Sequence, residues 1–278
     1  MMDHPKSIAG QWPAASPLEG LNMERGGMFD LQGNVCVVTG GGRGIGRAIS
    51  AALARHGATV IVVGRSEATL HEAAGEIEAG GGTVDWVTAD VANEDSVVKL
   101  AATVSERYGP AHVLVNNAGV NAIYKTLEST TLEEWSTIID TNLTGVFLTC
   151  REFGAQMLAN GRGSIINISS IGGRSGLPKT GAYCASKGGV ELLTKSIAID
   201  WAPKGVRVNC VAPAYVETDL TAGLAEHPTL AARLTGRTPM ARFGGVDEVA
   251  GAVVYLASPA SSYVTGESLA VDGGWLSA

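Results

Sequence analysis

Val35-Cys36-Val37-Val38-Thr39-Gly40-Gly41-Gly42-Arg43-Gly44-Ile45-Gly46 is the stretch from which the rest of the chain becomes readable. Four apolar residues run into a cluster of glycines. Beyond the cluster, Ile45, Ile49, Ala52, Leu53 and His56 recur at the three- and four-residue spacing of an amphipathic helix. A strand, a tight turn and a helix therefore follow one another without a linker. Side chains at Gly40, Gly44 or Gly46 would obstruct the turn, the helix–sheet packing, or an anion brought to the helix N-terminus. That context suits a pyrophosphate held on backbone N–H groups, and hence a dinucleotide.

Working outward, the pattern repeats. Val35–Thr39, Thr59–Val63, Thr83–Val87, Val113–Asn116, Ser164–Ile168, Val206–Val211 and Ser268–Val271 read as strands. Most lack a clean apolar/polar alternation, as strands covered on both faces do. Helical patterns fall between them, at about Ser66–Ala79, Glu94–Tyr108, Leu132–Asn160, Ala182–Ala202 and Val246–Ala257. The spacing predicts a single α/β domain over 28–278, with a seven-stranded parallel, doubly wound sheet and helices on both faces. Residues 1–27, with Pro5, Pro13 and Pro17 and no apolar period, read as a flexible N-terminal tail, or as a start placed upstream of Met23 or Met28.

Bulk numbers exclude several alternatives. Glycine supplies 37 of 278 residues, yet there is no Gly-x-y period and 45% of the chain is hydrophobic, so neither a collagen-like nor a disordered chain fits. Twenty basic against 27 acidic residues leave a net charge of −7, which argues against a nucleic-acid or anionic-membrane partner. The longest apolar runs, such as Val60–Val63, are far too short to span a bilayer. Cys36, Cys150, Cys184 and Cys210 show no paired spacing, so no metal site or disulfide is expected, and free thiols suit a cytoplasmic location.

The second strand ends at Gly64-Arg65, where a carboxylate about 20 residues after the glycines would hold the ribose hydroxyl of NAD. Glycine followed by arginine, with Arg43 inside the turn, suits a 2′-phosphate by charge and fork geometry. NADP(H) is favoured, and NAD(H) stays open. Farther along, Tyr183 and Lys187 stand at i and i+4 near the start of a helix. An ammonium beside a phenol favours the phenolate and lowers its pKa, making Tyr183 a usable proton donor or acceptor. Ser169-Ser170 closes the fifth strand, Asn116-Asn117-Ala118-Gly119 the fourth, and Asn142 lies in the helical run between them.

With T-G-x-x-x-G-x-G at Thr39–Gly46, Asp90-Val91, N-N-A-G at 116–119, Asn142, Ser170 and Y-x-x-x-K at Tyr183–Lys187, the chain resembles the short-chain dehydrogenase/reductase family over about Met28–Trp275. The resemblance implies a Rossmann-type fold and hydride transfer between a nicotinamide cofactor and a secondary alcohol or ketone. It implies that Ser170 orients the substrate oxygen, Tyr183 moves the proton, Lys187 holds the nicotinamide ribose and Asn142 positions a water. It places Gly40, Arg43, Gly44, Ile45, Gly46, Arg65, Asp90, Val91, Asn117, Gly119, Val216 and Thr218 along the cofactor. One departure is Pro213-Ala214, where the family usually has Pro-Gly; the methyl is tolerable if φ there is negative.

Trp201–Asn209 and Ala257–Trp275 look most like the gluconate 5-dehydrogenase and deoxygluconate dehydrogenase branch, which implies a sugar acid or polyol as substrate. Tyr215–Gly245 reads as a lid, and Asn121, Arg174, Lys179, Tyr215, Leu220 and Leu224 are candidates to face substrate, with Arg174 a candidate partner for a carboxylate. The alternatives are a 3-oxoacyl-(acyl carrier protein) reductase, which needs a basic patch for which Arg151, Arg162 and Arg174 are candidates, and a catalytically silent NADP-binding module. A C-terminal edge strand followed by an exposed Trp275 would be a liability in a monomer, so a homotetramer is expected.

Overall fold

In the computed structural model, which describes residues 27–278 apart from 122, 219, 220 and 226, the glycine turn sits at the carboxyl end of β1 (Val35–Thr39). β2 (Thr59–Gly64), β3 (Thr83–Thr88), β4 (Val113–Asn116), β5 (Gly163–Ile168), β6 (Val206–Pro213) and β7 (Ser268–Val271) complete one seven-stranded sheet. The order is β3-β2-β1-β4-β5-β6-β7 and every pairing is parallel. The order reverses between β1 and β4, so a crevice opens beyond their carboxyl ends, as the rule for open α/β sheets requires.

The apolar runs have the double burial that the sequence predicted. Cys36 and Val38 of β1 and Val60 and Val62 of β2 face one layer; Val35 and Val37, with Ile61 and Val63, face the other. The first layer is α1 (Gly44–Arg55) and α2 (Glu67–Ala79) with α9 (Val246–Ala257), through Ile49, Leu53, Leu70, Val249 and Val253. The second is α3 (Glu94–Tyr108), α5 (Gly145–Ala159) and α6 (Gly181–Trp201), through Leu100, Val104, Phe153, Met157 and Val190. Each fully buried aliphatic or aromatic side chain here contributes about 1.5–3 kcal/mol relative to exposure.

One expected element is not continuous. The stretch read as a single helix over Leu132–Asn160 is α4 (Leu132–Ile139), a π turn at Asp140–Thr144, and then α5. The Gly145 N–H reaches the carbonyl of Asp140, five residues back. Such a turn inserts a residue without breaking the apolar stripe, so periodicity alone does not reveal it. Between β6 and α9 lie α7 (Ala222–Ala225) and α8 (Pro228–Arg237). Met28 is tied down, its carbonyl accepting from Ala260 N at 3.1 Å, while residues 1–26 of the expected tail lie outside the described residues.

Candidate active site

The glycine turn is built from backbone contacts that exclude side chains. A Cβ on Gly46 would lie 2.1 Å from the Gly40 carbonyl oxygen and 2.4 Å from Asn117 Nδ2. Gly40 itself adopts φ +62°, in the left-handed region. Thr39 and Asn117 lock this turn to β4. Thr39 Oγ1 accepts from the N–H groups of Asn117 and Ala118 at 3.1 Å, and Asn117 Nδ2 donates to the carbonyls of Thr39 and Gly40 at 3.0 Å. Asn117, expected along the cofactor, thus gives its amide to the turn. Thr39 was missed as a site residue, although it opens the motif.

Helix α1 begins at this turn with Arg43 as its N-cap, and no side chain caps it; Ser66, Asn93 and Thr131 cap α2, α3 and α4. The first N–H groups of α1, from Gly44, Ile45 and Gly46, are left for an anion. Across the crevice a Cβ on Gly44 would stand 3.6 Å from Thr218 Cγ2, and Val216 beneath it is buried. A glycine cradle, an uncapped helix start and Thr218 opposite fit a dinucleotide pyrophosphate.

Arg43 and Arg65 are both exposed, and neither forms an ion pair among the described residues. They flank Gly42 and Gly64, which lie against the start of α2: added Cβ atoms would come 3.1 Å from Thr69 Cγ2 and 3.2 Å from Leu70 Cδ2. An acidic side chain at 64 would crowd Leu70. Asp90 follows β3, its Oδ1 accepting from Ala92 N at 3.0 Å, and Val91 packs against Gly145 at the start of α5.

The second cluster joins the ends of β4 and β5 to the first turns of α6. Lys187 is 4% exposed, and its ammonium donates to the Ile168 carbonyl at 2.8 Å. It lies 5.9 Å from the centre of the Tyr183 ring, with Gly119 alongside. Burial pulls Lys187 down to about 8. Ser170 Oγ accepts from Gly172 N at 3.1 Å, and its hydrogen bond with Tyr183 opposes part of the rise that burial gives that phenol. The expected depression of Tyr183 by Lys187 is corrected here: burial outweighs every other influence and raises the phenol, and the ammonium is turned to a backbone carbonyl.

Asn142, fully buried in the π turn, accepts from Val120 N at 2.8 Å and donates to the Val120 carbonyl at 2.9 Å and to Ser186 Oγ at 3.2 Å. Ser186 Oγ in turn donates to the Tyr183 carbonyl at 2.7 Å. Both ends of the Asn142 amide are thus spent on protein, so its side chain braces the Gly119–Val120 segment against the start of α6. Ala214 is not among the residues with positive φ, so the missing glycine after Pro213 costs no strain.

The substrate side differs from expectation in three places. Arg174 turns away, donating to the Ser268 carbonyl at 3.3 Å, where it lines a cavity of about 360 Å³ with Glu191, Lys195 and Glu267. Nor do the three arginines form a basic patch. Arg151 is paired with Glu94 and Glu152, each at 2.7 Å, and Arg162 donates to Asn34 at the opposite end of the sheet. Trp275 is not exposed but 3% accessible, packed with Ile171 and Leu234 and bordered by Leu177, Tyr215, Leu224 and Phe243. Its ring stands edge-on to Tyr215 at 5.1 Å. Asn121 keeps a buried Oδ1 with no partner among the described residues, and Lys179 stands 5.6 Å from the Tyr124 ring. Leu220 lies outside the described residues. Tyr124, Arg233 and Arg237 carry no sequence motif and were not foreseen.

The model of the family described as enoyl-(acyl carrier protein) reductase matches residues 40–276. The chain belongs to the short-chain dehydrogenase/reductase family. It is 41% identical over 250 residues to galactitol 2-dehydrogenase (L-tagatose-forming) of Cereibacter sphaeroides, covering 89% of this chain and 97% of that one. It is 42% identical over 249 residues to a 3-oxoacyl-[acyl-carrier-protein] reductase of Synechocystis, covering 89% and 98%. Among solved structures, the gluconate 5-dehydrogenase of Burkholderia cenocepacia in complex with NADP and tartrate superposes with TM-score 0.87 at 37% identity, covering 90% of this chain and 98% of that one. The protein is therefore an oxidoreductase of this family with a Rossmann-like fold.

Proposed function

We propose that the enzyme interconverts a secondary alcohol and a ketone on a sugar acid or polyol, with NADP(H) favoured over NAD(H). The observation that carries the reaction is the convergence of Ser170, Tyr183 and Lys187 at the carboxyl ends of β4 and β5, beside the glycine cradle. The nicotinamide cofactor supplies or accepts the hydride when bound. Ser170 Oγ holds the substrate oxygen next to the Tyr183 hydroxyl. Tyr183 gives its proton to that oxygen in reduction and takes it back in oxidation. Lys187 binds the nicotinamide ribose, and the Ser170 hydrogen bond offsets part of the burial that keeps Tyr183 protonated. Asn142 keeps Lys187 and Tyr183 in register through Ser186.

Arg43 and Arg65, exposed beside Gly64 and without an ion pair among the described residues, support the 2′-phosphate. Replacing both with alanine is expected to lower the NADPH-over-NADH preference in kcat/KM about tenfold or more, each charge-assisted contact being worth about 1.5–3 kcal/mol. A wild-type enzyme equally efficient with NADH would overturn the preference.

The substrate reading rests on likeness to the galactitol and gluconate enzymes, and the dispersal of Arg151, Arg162 and Arg174 weighs against an acyl-carrier-protein docking patch. NADPH oxidation measured over keto acids, ketoses and acetoacetyl thioesters separates the readings: turnover confined to thioesters favours the reductase alternative, and no turnover at all favours a silent module. A cytoplasmic location fits four free cysteines, three of them buried with thiols pushed up to about 12. With Trp275 buried, a homotetramer rests instead on the β7 edge and on exposed apolar side chains of α4–α6, notably Leu132, Phe147, Leu192 and Ile199. Light scattering at micromolar protein tests it, a monomer mass being the contrary result.

A further inference from the structure

Outside the catalytic cluster, three cations on the substrate side have no acidic partner among the described residues. Arg233 and Arg237 lie one turn apart on α8, whose sequence from Pro228 to Arg237 holds no acid. Both are exposed, and neither forms an ion pair among the described residues, in a chain of net charge −7. Arg237 is held in place: its guanidinium stacks 4.3 Å from the Trp275 ring, which in turn abuts Tyr215. Lys179 approaches from the other side, on the loop leading into α6, its ammonium 5.6 Å from the Tyr124 ring. Its backbone takes φ +59°, a strained conformation for lysine of the sort that gathers at ligand clamps.

Two of these groups, Arg237 and Arg233, act on one hydroxyl, and Lys179 reaches it through Tyr124. Burial and then Tyr124 push the Tyr215 phenol up, Arg237 and Arg233 pull it down, and Tyr215 is itself felt by Tyr183. Leu177, two residues before Lys179, lies with the Tyr183 ring against Gly172. The cations therefore rim the same opening in which the proton-transfer tyrosine sits.

We propose that Arg237, with Arg233 and Lys179, holds the carboxylate of a sugar-acid substrate at the end remote from the reacting carbon, taking the role the sequence had suggested for Arg174. The inference rests on the sugar-acid reading above. A planar guanidinium stacked on an indole is presented edge-on, so its fork of N–H groups is free for a carboxylate. Selectivity for acid over neutral substrate then follows from the rim, and chemistry from the Ser170–Tyr183–Lys187 cluster.

The test measures kcat/KM for 5-ketogluconate and for the neutral ketose fructose, with NADPH and the full chain, in wild type, Arg237→Gln, Arg237→Lys and Arg233→Gln/Arg237→Gln. The ratio of acid to neutral efficiency is expected to fall about tenfold or more in Arg237→Gln, through KM, to fall further in the double variant and to recover in part with lysine. A purely structural loss at Trp275 lowers both efficiencies together and leaves the ratio unmoved, which overturns the rim while the sugar-acid reading stands. A wild type that reduces fructose and ignores 5-ketogluconate overturns the reading and the rim with it. If Arg237→Gln impairs acetoacetyl-acyl-carrier protein but spares the free acetoacetyl thioester and 5-ketogluconate, the rim is a protein-docking surface and the carboxylate assignment falls.

Discussion

The two sides of the crevice are made of different material. On the cofactor side the surface is backbone: a turn in which Gly46 admits no Cβ, an uncapped helix start, and carbonyls of Thr39 and Gly40 clamped by Asn117. On the substrate side the surface is side chain: Tyr215 edge-on to Phe243 and Trp275, and Arg237 over the Trp275 ring, contributed by segments 60 residues apart (Tyr215 to Trp275). A backbone surface recognises what every member of a family shares, because amide geometry is independent of sequence once glycines allow the approach. A side-chain surface can be re-specified one residue at a time. Relatives with names as different as galactitol 2-dehydrogenase and 3-oxoacyl-[acyl-carrier-protein] reductase, at nearly equal identity, fit that division.

The strongest way to break the comparison is to put a side chain into the backbone half. Gly46→Val places carbon 2.1 Å from the Gly40 oxygen, an overlap that only a rebuilt turn can relieve. NADPH affinity, followed by fluorescence titration, is expected to fall at least about a hundredfold, since a misplaced amide cradle forfeits several charge-assisted hydrogen bonds at once. Retention of near-normal affinity would show that the cradle is plastic.

Tyr183→Phe removes only an oxygen at the seam between the halves. Turnover is expected to drop by about two to four orders of magnitude, the usual value of a positioned proton donor, while the NADPH dissociation constant stays within about twofold. A variant with near-normal kcat would take the proton-transfer role away from Tyr183. Trp275→Ala then addresses the side-chain half alone. Its indole N–H has no partner among the described residues, so truncation strands no hydrogen bond there and the loss is packing, about 3–5 kcal/mol for a buried tryptophan. KM for the ketone is expected to rise and the melting temperature to fall, with NADPH affinity preserved. Equal weakening of both ligands would mean that the two halves are mechanically one.

The same division explains what could be read in advance. β1 through β7 and the glycine turn were legible because each is local: an apolar run with no alternation, or a cluster of glycines between a strand and a helix. The family motifs carried Asn142, Ser170, Tyr183 and Lys187 to one place, and the fold brings them together around Val120 and Ile168. The π turn at Asp140–Thr144 was invisible because it keeps the apolar stripe of its flanking helices. Arg174 misled because its neighbourhood is set by β7, more than 90 residues away, and Arg237 was overlooked because its significance depends on where Trp275 lies. Side-chain surfaces assembled from distant segments leave no periodic trace.

Lys187 shows what the seam costs the fold, and its effect on stability is the smallest and most specific. The unfolded chain keeps the lysine proton up to the ordinary pKa of 10.5, whereas burial makes the folded chain release it at about 8. Between those values the unfolded state binds more protons, so folding stability contributed by this group rises as pH climbs through the window and is lowest at neutral pH. The Ile168 carbonyl satisfies one of three ammonium hydrogens and offsets only part of the desolvation. Lys187→Met keeps the volume and removes the charge. It is expected to abolish most turnover yet leave the protein as stable or more stable at pH 7, by up to about 3 kcal/mol. The rise in melting temperature from pH 8 to 10 expected of wild type should be absent in the variant. A variant destabilised at pH 7 with an unchanged pH profile would mean that the ammonium is a structural tie to β5 rather than a charge retained for the site.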